Sequence, residues 1–336
     1  MCKYSKLEQT RGENMLLVIG GAGYIGSHFV YHNATKLPIL VLDNLSTGHK
    51  ASVHPAAQFI EGDFGDQATL EHIFSTYKID CVIHFGAKSI VAESVQNPLY
   101  YYESNVAKTI TLLEMMHRYQ IHKLIFSSTA AVYGSTEEQT IDESHDLNPV
   151  NPYGHSKRMV EQIIIDYAKT SELNYCIFRY FNAAGAHQDS VIGEAHDPET
   201  HLIPTVLKGA IQSLPINIFG QDFNTKDGTA VRDYVHVIDI ANAHLLAYEA
   251  MNNNQFESAI YNLGGNRGYS VNEIIQLCNQ ITNIQSLIQY CQRREGEPPA
   301  LVANAKKANE KLGWIPQYTI EDIIKSAWQW HLQPKY

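Results

Sequence analysis

The sequence predicts an α/β fold in which a doubly wound parallel sheet is followed by a smaller C-terminal α/β domain. Three observations predict it. Met15-Leu16-Leu17-Val18-Ile19 is a continuous apolar run, as a parallel strand buried on both faces requires, and it breaks into Gly20-Gly21-Ala22-Gly23. Strand-like apolar runs then alternate with helical patterns, the order that builds right-handed crossovers around a parallel sheet. A second apolar run, Ile39 to Leu42, ends in Asp43, close to the roughly 20-residue offset at which an acid meets an adenosine ribose.

The first turn carries the most information. Gly21-x-Gly23-x-x-Gly26 and Gly20-x-x-Gly23-x-x-Gly26 both fit a Rossmann-type dinucleotide fingerprint. Glycine lets the backbone turn sharply and approach a ligand, and the free N–H groups of the helix starting near Tyr24 attract a pyrophosphate. After Asp43 comes the turn Asn44-Leu45-Ser46-Thr47-Gly48, then short strands at 58–63 and 80–85, the latter followed by Gly86-Ala87. Further strands are expected at 123–128 and 174–179. Ligands of such sheets lie beyond the carboxyl ends of the strands, which places Gly21, Asp43, Asp63, Phe85 and Thr129 on one rim.

Beyond Asn182 the alternation thins. Residues 193–197 and 221–228 are loop-like, 231–250 return to strand then helix, Tyr261–Gly265 is a strand into a turn, and 271–282 read as helical. The expected organisation is a polar extension at 1–14, a cofactor domain at 15–182 that part of 231–265 rejoins, and a substrate domain at 183–336.

Composition narrows the function classes. A net charge of −10 argues against nucleic acid or an anionic membrane as partner, since both need clustered Lys and Arg. The five cysteines are scattered, with no C-x-x-C pair, and read as thiols of a reducing compartment. Despite sixteen histidines no H-E-x-x-H or comparable ligand spacing occurs, so no metal is expected. Residues 1–14 lack the apolar core of a signal peptide, and no run approaches the roughly 20 apolar residues of a membrane span. A soluble, cytoplasmic protein is expected.

The chemistry is expected at Asn151-Pro152-Tyr153-Gly154-His155-Ser156-Lys157. Pro152 suits the first turn of a helix, on which Tyr153 and Lys157 share a face. A phenol with a reference pKa near ~10 is a poor base, but a nearby ammonium favours its ionised form. The pair therefore reads as an acid–base group for a substrate hydroxyl. His155 points off that face, and His28, His84 and the three tryptophans read as packing residues.

These residues identify a resemblance. Y-x-x-x-K with G-x-x-G-x-x-G resembles the extended short-chain dehydrogenase/reductase family. GGAGYIGSH, LDNLSTG, IFSSTAAVYG, NPYGHSK, FRYFNAAGAH, ETHLIP, DGTAVRDYVHV, YNLGG and RREGEPPALVA resemble, in order, the branch that inverts C4 of UDP-glucose and UDP-galactose. The resemblance implies NAD as cofactor, held by Gly20, Gly23, Tyr24, Ile25, Gly26, Asp43, Asn44, Ser46, Thr47, Gly48, Asp63, Phe64, Phe85, Gly86, Ala87, Lys88, Ser104 and Tyr180 together with Tyr153 and Lys157. It implies Tyr153 as catalytic base and acid, Lys157 on the nicotinamide ribose, and Thr129 on the sugar 4-hydroxyl. Asn182, His201, Leu202, Asn217, Phe219 and Glu297 would line the UDP-sugar site, and Arg232 and Arg294 would clamp the diphosphate. It implies, too, a homodimer formed by the helix after Tyr100-Tyr101-Tyr102 and the Tyr153 helix.

Ile19, Ser104 and Glu297 depart from the Thr, Asn and Asp frequent in that branch, and Leu301 stands where bulk decides whether an N-acetylated sugar fits. The alternatives are a 4,6-dehydratase or decarboxylase of the same family, or a non-catalytic NAD-binding protein. In dehydratases an Asp and a Glu follow the catalytic Thr, whereas here Ala130 and Ala131 follow Thr129 and cannot transfer protons. A non-catalytic protein would not need Tyr153, Lys157, Thr129 and both arginines together.

Overall fold

The computed structural model describes residues 12–135, 140–253, 256–294 and 297–336; the rest of the polar extension, residues 1–11, lies outside them. Seven strands are labelled in chain order: β1 (Met15–Ile19), β2 (Ile39–Asp43), β3 (Gln58–Glu61), β4 (Ile79–His84), β5 (Lys123–Thr129), β6 (Asn174–Tyr180) and β7 (Ala259–Leu263). They form one parallel sheet in the order β7-β6-β5-β4-β1-β2-β3.

The continuous apolar runs are explained by burial on both faces. Along β1, Leu16 and Val18 enter a core shared with the helices Tyr24–Asn33, Val237–Met251 and Lys306–Leu312, whereas Met15, Leu17 and Ile19 enter the opposite one. That second core is closed by the helices Gln67–Thr76, Lys108–Arg118 and Pro152–Ala168. The strand order reverses between β1 and its neighbours β2 and β4, which opens a crevice above the glycine turn.

After β6 the chain passes through Phe181, whose N–H bonds the Leu263 carbonyl, into Asn182–Ala184, which pairs with Val231–His236 in a smaller sheet. Gly268–Ser270 and Ala300–Leu301 complete that sheet, and Ile216–Phe219 pairs separately with Ile288–Cys291. Helices Leu202–Gln212, Val271–Thr282 and Ile320–Leu332 pack around a core of their own. Asp233, fully buried, accepts the N–H groups of Gly265, Asn266 and Ala303 at 2.6, 3.0 and 3.0 Å, and so binds the strand 231–236 to the loop that follows β7. Residues 237–263 supply a helix and a strand to the large sheet, while 231–236 belong to the small one.

One buried ion pair fastens the helix Pro152–Ala168 to the sheet. Glu161 faces Arg179 of β6 at 2.7 Å, with side chains 2 and 3 % exposed. Ser128 of β5 also donates to Glu161, and Arg179 donates to the Tyr133 hydroxyl at 2.9 Å. Glu161→Gln would strand a buried guanidinium, and such broken pairs cost roughly 3–5 kcal/mol. Urea unfolding should show the unfolding free energy fall by that amount, as a lower midpoint with an unchanged slope.

Candidate active site

The glycine turn is shaped by close backbone packing. Gly20 has a φ of 76°, and a Cβ there would stand 2.6 Å from the Gly86 nitrogen. A Cβ on Gly26 would strike the Gly20 carbonyl, so only glycine lets the helix start this close to β1. Asp43, at the end of β2, is buried and accepts the N–H groups of Ala22 and Leu45 at 2.9 and 2.8 Å. Burial pushes its carboxyl up and those two bonds pull it back. Gly48 supports the turn from outside: a Cβ there would meet Ala22, whose carbonyl accepts the N–H of His49.

The rim continues through Asp63, Phe64 and the segment 85–88. Asp63 takes hydrogen bonds from Lys108 (2.6 Å), Asn44 (3.0 Å) and the Gly65 N–H (2.7 Å). Burial would raise its carboxyl, but these partners outweigh burial and hold it below its ordinary value. Asn105, buried, clasps the Lys88 backbone through both its amide atoms and also donates to Ser156. Tyr180 is committed to Ser127 (2.8 Å) and His244 (2.7 Å), and Phe85 packs on His244 at 4.6 Å between ring centres. Sequence reasoning missed Lys108 and Asn105. Their partners lie in other elements, so no local spacing marks them.

The helix Pro152–Ala168 begins as its sequence implies, with Pro152 in the first turn and Asn151 capping the Gly154 N–H at 2.9 Å. Tyr153 faces Thr129, whose hydrogen bond lowers the phenol's pKa, but burial is the larger effect and the phenol lies above its ordinary value. Lys157 donates to the Ser127 carbonyl at 2.8 Å and sits 4.8 Å over the Phe126 ring. Burial pulls its pKa down to about 7, opposed by the Glu161 charge. The sequence led us to expect a phenol lowered by its lysine. The protein groups alone do the reverse, because desolvation dominates and the ammonium is engaged with a carbonyl.

Across the crevice Arg232 meets Glu297 at 3.0 Å, and the other Glu297 carboxylate oxygen is buried with no partner among the described residues. Arg294 lies 4.0 Å over the Phe219 ring. The Asn182 amide donates to the Asp233 carbonyl at 2.8 Å. His201 lies 2.7 Å from Glu194 and 3.4 Å from Glu199. Burial would favour its neutral form, but the two carboxylates prevail and raise it to about 10. No ligand spacing was noticed in this segment of the sequence, yet Glu194, His196, Glu199 and His201 converge.

All these elements enclose one cavity of about 1200 Å³. Every residue expected to bind cofactor or substrate lines it except Gly48, and Leu301 lines it too. Pockets for one small ligand usually hold ~300–1,000 Å³, so there is room for two partners side by side. The glycine cradle and the buried Asp43 fit a dinucleotide at one end, and the arginines fit a diphosphate at the other.

The sequence pattern of the NAD dependent epimerase/dehydratase family matches residues 16–264. The chain belongs to that family. It is 45% identical over 319 residues to a UDP-glucose 4-epimerase of Halalkalibacterium halodurans, covering 94% of this chain and 95% of the relative. Among solved structures, the UDP-glucose 4-epimerase from Brucella ovis in complex with NAD superposes with a TM-score of 0.91 at 42% identity, covering 94% of this chain and 98% of that one. The UDP-Glc/GlcNAc 4-epimerase from Campylobacter jejuni does so with a TM-score of 0.83 at 38% identity, covering 96% and 100%. Within the family the chain therefore groups with the UDP-glucose 4-epimerases, and its cofactor is NAD. Among the described residues no helix is long and apolar enough to cross a membrane.

The Asp43 carboxylate would repel a 2′-phosphate. NADP should bind at least about tenfold more weakly than NAD (roughly 1.4 kcal/mol) in a fluorescence titration, and Asp43→Ser should narrow the gap. Equal affinity of the native chain for both would remove Asp43 from the cofactor site.

Proposed function

We propose that this chain interconverts UDP-glucose and UDP-galactose by oxidising and re-reducing C4 of the sugar through a 4-keto intermediate. The observation that carries the reading is the meeting of Tyr153, Lys157 and Thr129 at the rim of a cavity with arginines at its far end. NAD, when bound, would supply the hydride acceptor and donor for C4, so that hydrogen can leave one face of the ring and return to the other. Gly20, Gly23, Gly26 and Asp43 would hold its adenosine and pyrophosphate half, and Phe85 to Lys88 would flank the nicotinamide half; all line the cavity.

Tyr153 accepts the proton of the 4-hydroxyl as C4 is oxidised and gives it back to the oxygen on return. Thr129, which lines the cavity beside that phenol, orients the hydroxyl. The ammonium of Lys157 favours the phenolate, and a cationic nicotinamide adds to its field. Arg232 and Arg294 grip the diphosphate, Asn182 meets the sugar, and the 217–219 segment lines the nucleotide site. The diphosphate then offers Arg232 a second anion beside Glu297. Ala130 and Ala131 after Thr129 supply no base for the C5 proton and no acid for the departing C6 hydroxyl, which disfavours the dehydratase reading.

The homodimer is part of the same proposal. Val95, Leu99, Ile110 and Met159 are exposed at 61, 81, 40 and 44 %, on or beside the two helices expected to join the protomers. The four described cysteines are free and three are buried, in keeping with a cytoplasmic location.

The purified protein should interconvert the two sugars with no added reductant. Tyr153→Phe should lower kcat at least ~100-fold, the lower bound for lost acid–base catalysis, while NAD stays bound. Undiminished activity in that variant would overturn the assignment.

A further inference from the structure

We propose that Glu194, His196, Glu199 and His201 form a binding site for a divalent first-row transition ion of the zinc type. Each residue offers one ligand atom, and all four atoms lie within 4.8 Å of one another. His196 and His201 both turn Nδ1 toward the same Glu194 oxygen, at 3.0 and 2.7 Å, and His201 Nδ1 stands 3.4 Å from Glu199. Donors about 2.0–2.2 Å from an ion stand roughly 3.3–3.6 Å apart; the His201–Glu194 pair must open by tenths of an ångström, and a pair near the 4.8 Å limit must close by about 1 Å. Two imidazoles with two carboxylates suit zinc, iron or cobalt, whereas calcium and magnesium seek oxygen alone. An incoming divalent ion would take the place of the His201 proton between the two carboxylates, whose side chains are only 4 and 9 % exposed.

The surroundings hold the ligands in place, as metal sites require. Trp330 donates to the Glu194 carbonyl at 2.9 Å. The N–H groups of Thr200 and His201 fix the Glu199 carboxylate at 2.9 and 3.0 Å, and Lys208 approaches its other oxygen at 3.4 Å. The Tyr24 ring stands edge-on to His196, 6.0 Å between centres. All four ligands line the cavity, which gives an ion its entry path. With four protein ligands the site is structural. It pins the loop ahead of the helix Leu202–Gln212 against the Tyr24 turn, and the spacing E-x-H-x-x-E-x-H within 194–201 is its sequence signature.

The test uses the full chain with NAD bound, stripped with a chelator and titrated with Zn²⁺, and separately with Co²⁺ as a spectroscopic probe. One equivalent per chain should bind, Co²⁺ should show the visible bands of a four-coordinate ion, and Zn²⁺ should raise the melting temperature. His196→Gln and Glu199→Gln should each weaken binding at least about tenfold, with circular dichroism and NAD content unchanged. Should either variant fail to fold, His201→Gln serves in its place. Absence of a saturable equivalent, or binding that persists in the folded variants, overturns the site.

Discussion

The arrangement rests on a pair of opposite charges sealed beneath the reactive face. Glu161 and Arg179 are both withdrawn from water, and each is tolerable there only because the other is present. Their placement turns an electrostatic necessity into a positional one. Glu161 lies one helical turn beyond Lys157, which lies one turn beyond Tyr153, so all three share a face. Holding Glu161 on β6 and on Ser128 of β5 lays that face against the strand ends that carry Ser127 and Thr129. The chain of bonds runs on through Tyr133 to Asn262 of β7, so four elements share one register.

The electrostatics of the site divide between what the protein supplies and what its ligands must bring. Burial lifts Tyr153 and depresses Lys157, both in the direction of neutrality. Neutral groups in a dry cavity are the low-energy arrangement in the absence of charge nearby. Across the crevice the balance differs, because Arg232 has Glu297 and His201 has two glutamates. The far wall thus pairs Arg232 and His201 with carboxylates, while burial on the catalytic wall pushes Tyr153 and Lys157 toward neutrality.

Much of this was legible in the sequence because its signals are local. The glycine turn, the acid closing the second strand, and the proline-initiated helix with Tyr153 and Lys157 each follow from a few adjacent residues. The cofactor sheet was legible because strands buried on both faces cannot hide polar residues. What escaped depends on distant partners. Lys108 finds Asp63 and Asn105 finds the Lys88 backbone only after the chain has folded. The direction of the Tyr153 shift escaped because desolvation depends on the whole enclosure. Leu113, Met115 and Met116 are buried as a packing helix predicts, but Ile110 of the same helix faces outward, and its neighbours in sequence do not reveal which side the core takes.

The large sheet has one further consequence for how the molecule is made. One edge strand, β7, and two of the helices on one face come from residues 237–263 and 306–312, after the strands of the smaller sheets at 182–184, 216–219 and 231–236 have been laid down. A polypeptide leaving the ribosome from its amino end cannot finish the cofactor layer when residue 182 emerges. The flank of β6 must wait for Ala259–Leu263, about 80 residues further along the chain.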